Sequence, residues 1–310
     1  MLHIFQEKHL RTQNDASKLS DDDTIAVHLS KINEFTRDFL PFINTTFVLM
    51  THHYLIPTEL DLVVAIAGNI TGNKYLLQWF SHNMGMYTGG QHYHAKVSPF
   101  PLGLKPHLGK AAYRNPVPHF RQVFLETLNN TEANKTNPIF LGYLRQTSPK
   151  RAQVPSGPNL DYVPYLRAIS KSSYVISPDG DHPDCHRHYE AIGLGAIPIT
   201  QMDSFLYSHL EESHVIYNNS NWNLTSLVNS ELIFPAPKVN QNMIFEEYWM
   251  EYSERITGRP LRWYDHLKGE ISLMKDLAFL PITNATINGK ENWNSLKTTN
   301  QLFFVIKIPP

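Results

Sequence analysis

Chemistry-bearing side chains crowd the stretch Ser173–Thr200, SYVISPDGDHPDCHRHYEAIGLGAIPIT. An apolar, β-prone run (YVIS) leads into Pro178, Asp179, Gly180 and Asp181, a turn suited to the freedom of glycine. Asp184 then stands where a helix N-cap is expected. In the helix that follows, His186 and Glu190 are four apart and Arg187 and Glu190 three apart, so all three share a face. Gly195 is placed to end the helix, and AIPIT reads as the next strand.

These residue types in this order suit a nucleotide diphosphate. The N–H groups of the turn, from Ser177 through Gly180, and the positive end of a helix starting near Asp184 attract phosphate oxygens. Arg187 can offer them a two-pronged pair of donors. Glu190, one turn further along, is acceptor-only when ionised and fits the paired hydroxyls of a ribose. The basic loop carrying Arg145, Lys150 and Arg151 follows the preceding predicted strand and can face the same phosphates. The competing reading is a surface ion pair between Arg187 and Glu190, worth little.

The elements that must hold these groups are those of a parallel sheet. Strands are expected at Phe47–Thr51, Leu76–Ser81 and about Lys96–Leu102, the last irregular because of Pro99 and Pro101. Residues 1–45 read as polar and partly helical. A helix is predicted over about Pro116–Leu128, then a polar loop ending in Asn137-Pro138. Beyond it, strands at Ile139–Tyr143, Tyr174–Ser177 and Ala196–Thr200 alternate with helices at about Leu160–Ser170 and Asp184–Leu194. Shorter pieces follow at Ser204–Leu210, His214–Tyr217 and Leu224–Val228. Two amphipathic helices, near Gln241–Ile256 and Leu261–Asp276, close the pattern. The domain limits drawn from this are 1–135, 136–280 and a tail over 281–310. In such sheets ligands bind at the carboxyl ends of the strands, where these candidates fall.

Composition narrows the function. With 42% hydrophobic and 18% charged residues the chain is globular, and a net charge of −1 gives no basic excess for gripping nucleic acid. There is no run of 18 apolar residues to span a membrane, and MLHIFQEKHLRTQ lacks the apolar core of a signal peptide. The single cysteine, Cys185, excludes an intrachain disulfide. Seven Asn-x-Ser/Thr triplets begin at Asn44, Asn69, Asn129, Asn134, Asn218, Asn223 and Asn284, against roughly three expected by chance. They point to a secretory lumen, the Golgi included, and to an N-terminal anchor removed or never included. Sixteen histidines invite a metal, with His52-His53, His92-x-His94 and His186-x-His188 as candidate ligands. No His-Glu-x-x-His occurs, and no metal is expected.

The run Ser177-Pro178-x-Gly180, Asp184-Cys185-His186-Arg187, Tyr189-Glu190-Ala191, Gly195-x-Ile197-Pro198 resembles the donor-site segment of exostosin-like glycosyltransferases. Upstream, WFSHNMG at Trp79–Gly85 and HAKVSPFPLGL at His94–Leu104 resemble a segment from the N-terminal half of the same family. The resemblance covers roughly residues 45–235 and implies a GT-B-type fold: α/β, two Rossmann-like domains facing across a cleft. Against that pattern the N-terminal domain looks incomplete, and His182-Pro183 makes the turn bulkier than usual. It further implies that Glu190 holds the ribose, and Arg187 and His186 the diphosphate, of a nucleotide-sugar donor, UDP-sugar first. No tightly bound cofactor is implied. The acceptor would be a glycan or glycoprotein, and a homo- or hetero-oligomer stays open. An inverting transfer needs a base, for which His82, Asp181 and His52 are the candidates and Asp179 a further one. Trp79, Tyr87 and Tyr93 could stack on sugar rings. Two alternatives are an inactive subunit or glycan-binding module of the same fold, and a metal-dependent hydrolase built on the histidines.

Overall fold

The computed structural model describes residues 2–5, 13–28, 31–52, 68–81, 95–104, 120–130, 135–146, 151–180, 183–204, 207–218, 222–223, 227, 239–244 and 246–258. Among the described residues, nine strands form two sheets. Strands β1 (Leu2–Phe5), β2 (Asp23–His28), β3 (Phe47–His52), β4 (Leu76–Ser81) and β5 (Val97–Pro99) make the first. Strands β6 (Asn137–Phe140), β7 (Ser172–Ile176), β8 (Ile197–Thr200) and β9 (Ile216–Tyr217) make the second. In each sheet the spatial order follows the chain, β1-β2-β3-β4-β5 and β6-β7-β8-β9, and every pairing is parallel. The fold class is therefore the α/β class expected from the alternating pattern. Four helices of two turns or more accompany the sheets among the described residues: α1 (Phe120–Asn129), α2 (Tyr162–Ser170), α3 (His186–Gly193) and α4 (Glu246–Thr257).

The described residues separate into two compact units. One holds those up to Pro101 together with the end of α4 from Met250; the other holds Leu102–Trp249. Residues 1–45 are partly helical, as read from the sequence, with helical pieces at Gln13–Ala16, Ile32–Glu34 and Phe35–Phe39, and they also contribute β1 and β2, which that reading did not include. Their apolar runs are short (HIF, TIAV), and period cannot separate a buried strand from a helix at that length.

Strands covered on both faces read as continuous apolar runs. β7 and β8 are buried at every position, and the largest buried side chains of the first unit include Trp79, Phe47 and Phe80. Trp79, a side chain that could have stacked on a sugar, is part of the core at 1% exposed, with its indole N–H donating to Thr51 Oγ1 at 2.8 Å. Thr51 in turn donates to Ser81 Oγ at 2.8 Å, which closes a buried polar ladder across β3 and β4. Tyr87 and Tyr93 lie outside the described residues.

Helix α3 ends as its sequence demands. Gly195 takes φ +71°, the N–H of Gly195 reaches Ile192 O at 3.0 Å, and that of Ala196 reaches Ala191 O at 2.9 Å. This is the paired-bond stop that glycine permits after a helix. Lys135, just before β6, donates from one ammonium to Ser170 O and Leu194 O, each at 2.8 Å. It thus caps the carboxyl ends of α2 and α3 together, where the helix dipole favours a cation. Burial lowers its ammonium to about 8. The indole N–H of Trp249 on α4 donates to Met243 O at 2.8 Å.

Candidate functional site

The candidate groups of the second unit collect at the carboxyl ends of β6 and β7 and on the first turns of α3. The loop leaving β7, Ser177–Gly180, is buried throughout. Arg151, on a single helical turn (Arg151–Gln153), lies across it. Its guanidinium donates through Nε to Asp179 O at 2.8 Å, through Nη2 to Pro178 O at 3.3 Å and through Nη1 to Arg145 O at 3.3 Å. The loop and the guanidinium are closely packed at Gly180: a Cβ there would sit 3.0 Å from Arg151 Nη2, which would have to give by a few tenths of an ångström. Arg151 is therefore a strut between the two loops rather than a cation turned wholly to phosphate. Arg145 is exposed and serves the strut through its carbonyl.

Asp184 is not the helix cap that the sequence suggests. Cys185 holds that position, in extended conformation (φ −142°), with no side-chain cap bond. The Asp184 carboxylate is 1% exposed and accepts from the Leu102 N–H at 2.8 Å and the Tyr189 hydroxyl at 3.0 Å through Oδ2. Burial pushes it up to about 6, against the opposing pull of His188 and these donors. One turn along, His186 donates from Nδ1 to Gly103 O at 2.8 Å, where Gly103 takes φ +69°. Asp184 and His186 thus fasten the segment Leu102–Gly103 to the start of α3.

The Ser177 hydroxyl likewise turns inward, to His188 Nδ1 at 2.7 Å. His188 is fully buried, and its Nε2 faces Pro183 O at 3.1 Å. Burial alone would disfavour the imidazolium, yet Cys185, with Sγ 3.6 Å from the ring, and Asp184 hold His188 up to about 9. Burial would raise the Cys185 thiol, and His188 instead draws it down to about 7. The pair His186-x-His188 is split by helix geometry, since residues two apart do not share a face. His209 is buried between Tyr207 and Trp249, its ring 5.4 Å from that of Trp249, and burial lowers it to about 3, so it is a neutral member of the core. No three His, Cys, Asp or Glu residues gather as metal ligands among the described residues.

Arg187 and Glu190 behave differently. Glu190 is 6% exposed and accepts from the Tyr165 hydroxyl at 2.7 Å. Arg187 sits over the same ring, with Cζ 5.8 Å from its centroid, and Nη2 donates to Tyr143 O at 2.7 Å. Its other terminal nitrogen, Nη1, is buried with no hydrogen-bond partner among the described residues. Burial works against the guanidinium charge, but Tyr165, Cys185 and Glu190 hold it above its ordinary value. Burial and the neighbouring Glu190 keep the Tyr165 hydroxyl protonated, so it remains a donor. A buried cationic donor without a hydrogen-bond partner among the described residues is costly, and an anion beside it would satisfy it.

Tyr165 and Tyr143 were not reached from the sequence. Tyr165 lies on the predicted helix and Tyr143 at the predicted end of β6, but nothing in their spacing distinguishes them. Among the base candidates, His52 closes β3 in register with His28 on β2. His82 and Asp181 lie outside the described residues, as do Asn83, Lys150, His53, His92 and His94.

Residues 132–279 match the family described as RXYLT1 C-terminal domain, an exostosin-like xylosyltransferase family. That segment, a little under half of the chain, is similar to the family. It contains β6 to β9, helices α2 to α4 and every side chain of the Arg187–Glu190–Tyr165 group. No curated protein matches the chain in sequence. Among solved structures, sucrose-phosphate synthase (tll1590) from Thermosynechococcus elongatus is similar at 11% identity and a TM-score of 0.36, over 81% of this chain and 73% of that one. Among the described residues no helix is long and apolar enough to cross a membrane.

Proposed function

We propose that the chain transfers a sugar from a nucleotide-sugar donor, a UDP-sugar, to a glycan or glycoprotein acceptor, and that the second unit binds the donor. The observation that carries this is the buried Nη1 of Arg187, without a hydrogen-bond partner among the described residues, three residues before Glu190, both gathered on Tyr165. In this reading the diphosphate takes Arg187, with His186 at the same helix start, and the ribose hydroxyls take Glu190. The backbone of Ser177–Gly180 and the amino end of α3 supply further N–H donors. Arg151 and Asp184 shape the cradle, the first by holding Asp179 and Gly180 in place, the second by holding Leu102 against α3. The exposed Arg145 adds positive charge at the rim.

Deprotonation of the acceptor hydroxyl, if the transfer inverts, is assigned to one of His52, His82 and Asp181, and the three are separable by substitution. The family's description as xylosyltransferases makes UDP-xylose the first donor to try. A lumenal setting such as the Golgi is supported by the triplet asparagines. Asn44, Asn69, Asn129 and Asn223 are exposed and Asn218 half-buried, so each offers a side chain at the surface for glycosylation.

The test is a thermal-shift screen of UDP- and GDP-sugars followed by a transfer assay with the best binder. Ligand that binds the native state raises the melting temperature. One nucleotide sugar raising it, with release of the nucleotide when an acceptor is added, supports the reading. No shift with any of them rejects it. A shift without turnover supports the inactive, glycan- or nucleotide-binding member of the fold instead.

A further inference from the structure

We propose that the exposed ring of Tyr143 is the stacking platform for the nucleobase of the donor. This rests on the reading of Arg187 and Glu190 as the diphosphate and ribose contacts, and extends it to the third part of the nucleotide.

Tyr143 is 47% exposed, one of four large hydrophobic side chains so placed among the described residues, with Phe42, Leu77 and Ile256. Of these it is the aromatic one beside the candidate site: its carbonyl accepts from Arg187 Nη2 at 2.7 Å. Scattered exposed apolar residues are ordinary. What sets Tyr143 apart is how firmly its backbone is held. Its N–H donates to Pro158 O at 3.2 Å, the Gly157 N–H to Gly142 O at 3.2 Å, and the Leu144 N–H to Ser156 Oγ at 3.0 Å. The strand-like segments 141–144 and 156–158 touch backbone to backbone, since a Cβ on Gly157 would fall 1.8 Å from Leu141 O. The exposed ring therefore stands on a laced, preorganised backbone, which keeps the ordering penalty of ligand binding small.

The three groups of this reading are linked through Arg187. Arg187 touches the Tyr143 backbone with one terminal nitrogen and stacks over Tyr165, which bonds Glu190. Base, ribose and diphosphate then take Tyr143, Glu190 and Arg187 within one cluster. Stacking on an aromatic face is tolerant of base identity, so Tyr143 supplies affinity for the base without choosing between uracil and guanine.

The experiment titrates UDP and inorganic pyrophosphate separately into the full chain, its Tyr143→Ala variant and its Tyr143→Phe variant. Loss of one stacked base is worth about tenfold in affinity or more. The expected result is a Tyr143→Ala variant about tenfold weaker for UDP with pyrophosphate binding unchanged, and a Tyr143→Phe variant that binds both as the parent does. A Tyr143→Ala variant that binds UDP as tightly as the parent overturns the proposal and leaves the donor site standing. Equal weakening for UDP and pyrophosphate also overturns it, since the substitution has then disturbed the phosphate contacts. A parent chain that binds neither probe overturns the donor-site reading and this proposal together.

Discussion

The start of α3 and the loop that leads into it carry two sets of polar side chains, and the two sets meet opposite fates. Asp184, His188 and Ser177 are closed in on Leu102, Tyr189 and Pro183 and work as internal fastenings. Arg187 and Glu190 meet on Tyr165, and a buried nitrogen of Arg187 has no hydrogen-bond partner among the described residues. Residue type therefore does not mark a site. An acid, a base and a hydroxyl within bonding reach can be wholly structural. What separates the two sets is that the donor left over belongs to a charged group, since a buried cation without a hydrogen-bond partner costs more than a neutral one such as the Trp222 indole N–H.

That contrast can be broken by exchanging what each set controls. The largest effect is expected from Arg187→Met, which removes the charged donors and keeps the stem. UDP affinity should fall by about 3 kcal/mol or more, roughly 100-fold, with the melting temperature of the free protein nearly unchanged. A large loss of stability with affinity intact would move Arg187 into the structural set.

Next is the pH dependence carried by Asp184. Its folded-state carboxyl sits near 6 against an ordinary 3.8, so between those values the folded chain holds a proton that the unfolded chain releases. The stability it contributes is complete below about pH 4 and lost as pH rises through about 6, by about 3 kcal/mol for a shift of about two units. Asp184→Asn, neutral throughout, should flatten this stretch of the stability curve in denaturant titrations at a series of pH values. Parallel curves for the two proteins would show that the burial does not control the proton.

His188→Ala should lower stability by about 2 kcal/mol, because the Ser177 hydroxyl and Pro183 carbonyl lose a buried partner. UDP affinity per folded molecule should hold. Weakened nucleotide binding in a variant of normal stability would instead bring His188 into the site. The smallest effect belongs to Tyr165→Phe, which keeps the ring under Arg187 and deletes the bond to Glu190. UDP should bind about 1 kcal/mol more weakly with pyrophosphate unaffected, which isolates the ribose contact.

The second unit was the more legible in sequence. Its strands are continuous apolar runs bounded by Pro, Gly and Asp, and Gly195 marks the stop of α3 where the backbone turns left-handed. The first unit was less so. β1 and β2 are short, and β2 is buried except at His28, so neither alternation nor length announces a strand. Within the site, helical spacing correctly put Arg187 and Glu190 on one face. It could not show that Asp184 bonds Leu102, a residue 82 positions away, or that Arg151 is bound to the carbonyls of residues 178 and 179. Those contacts are tertiary, and no local pattern encodes them. The same holds for Tyr165 and Tyr143, whose importance comes only from the residues the fold brings to them.

The most direct test of the account is a calorimetric titration of UDP into the chain and into its Glu190→Ala variant. Saturable single-site binding by the parent, weakened at least tenfold in the variant, is the predicted result. A parent that does not saturate, or a variant that binds as tightly, would contradict the assignment of this helix to the donor nucleotide.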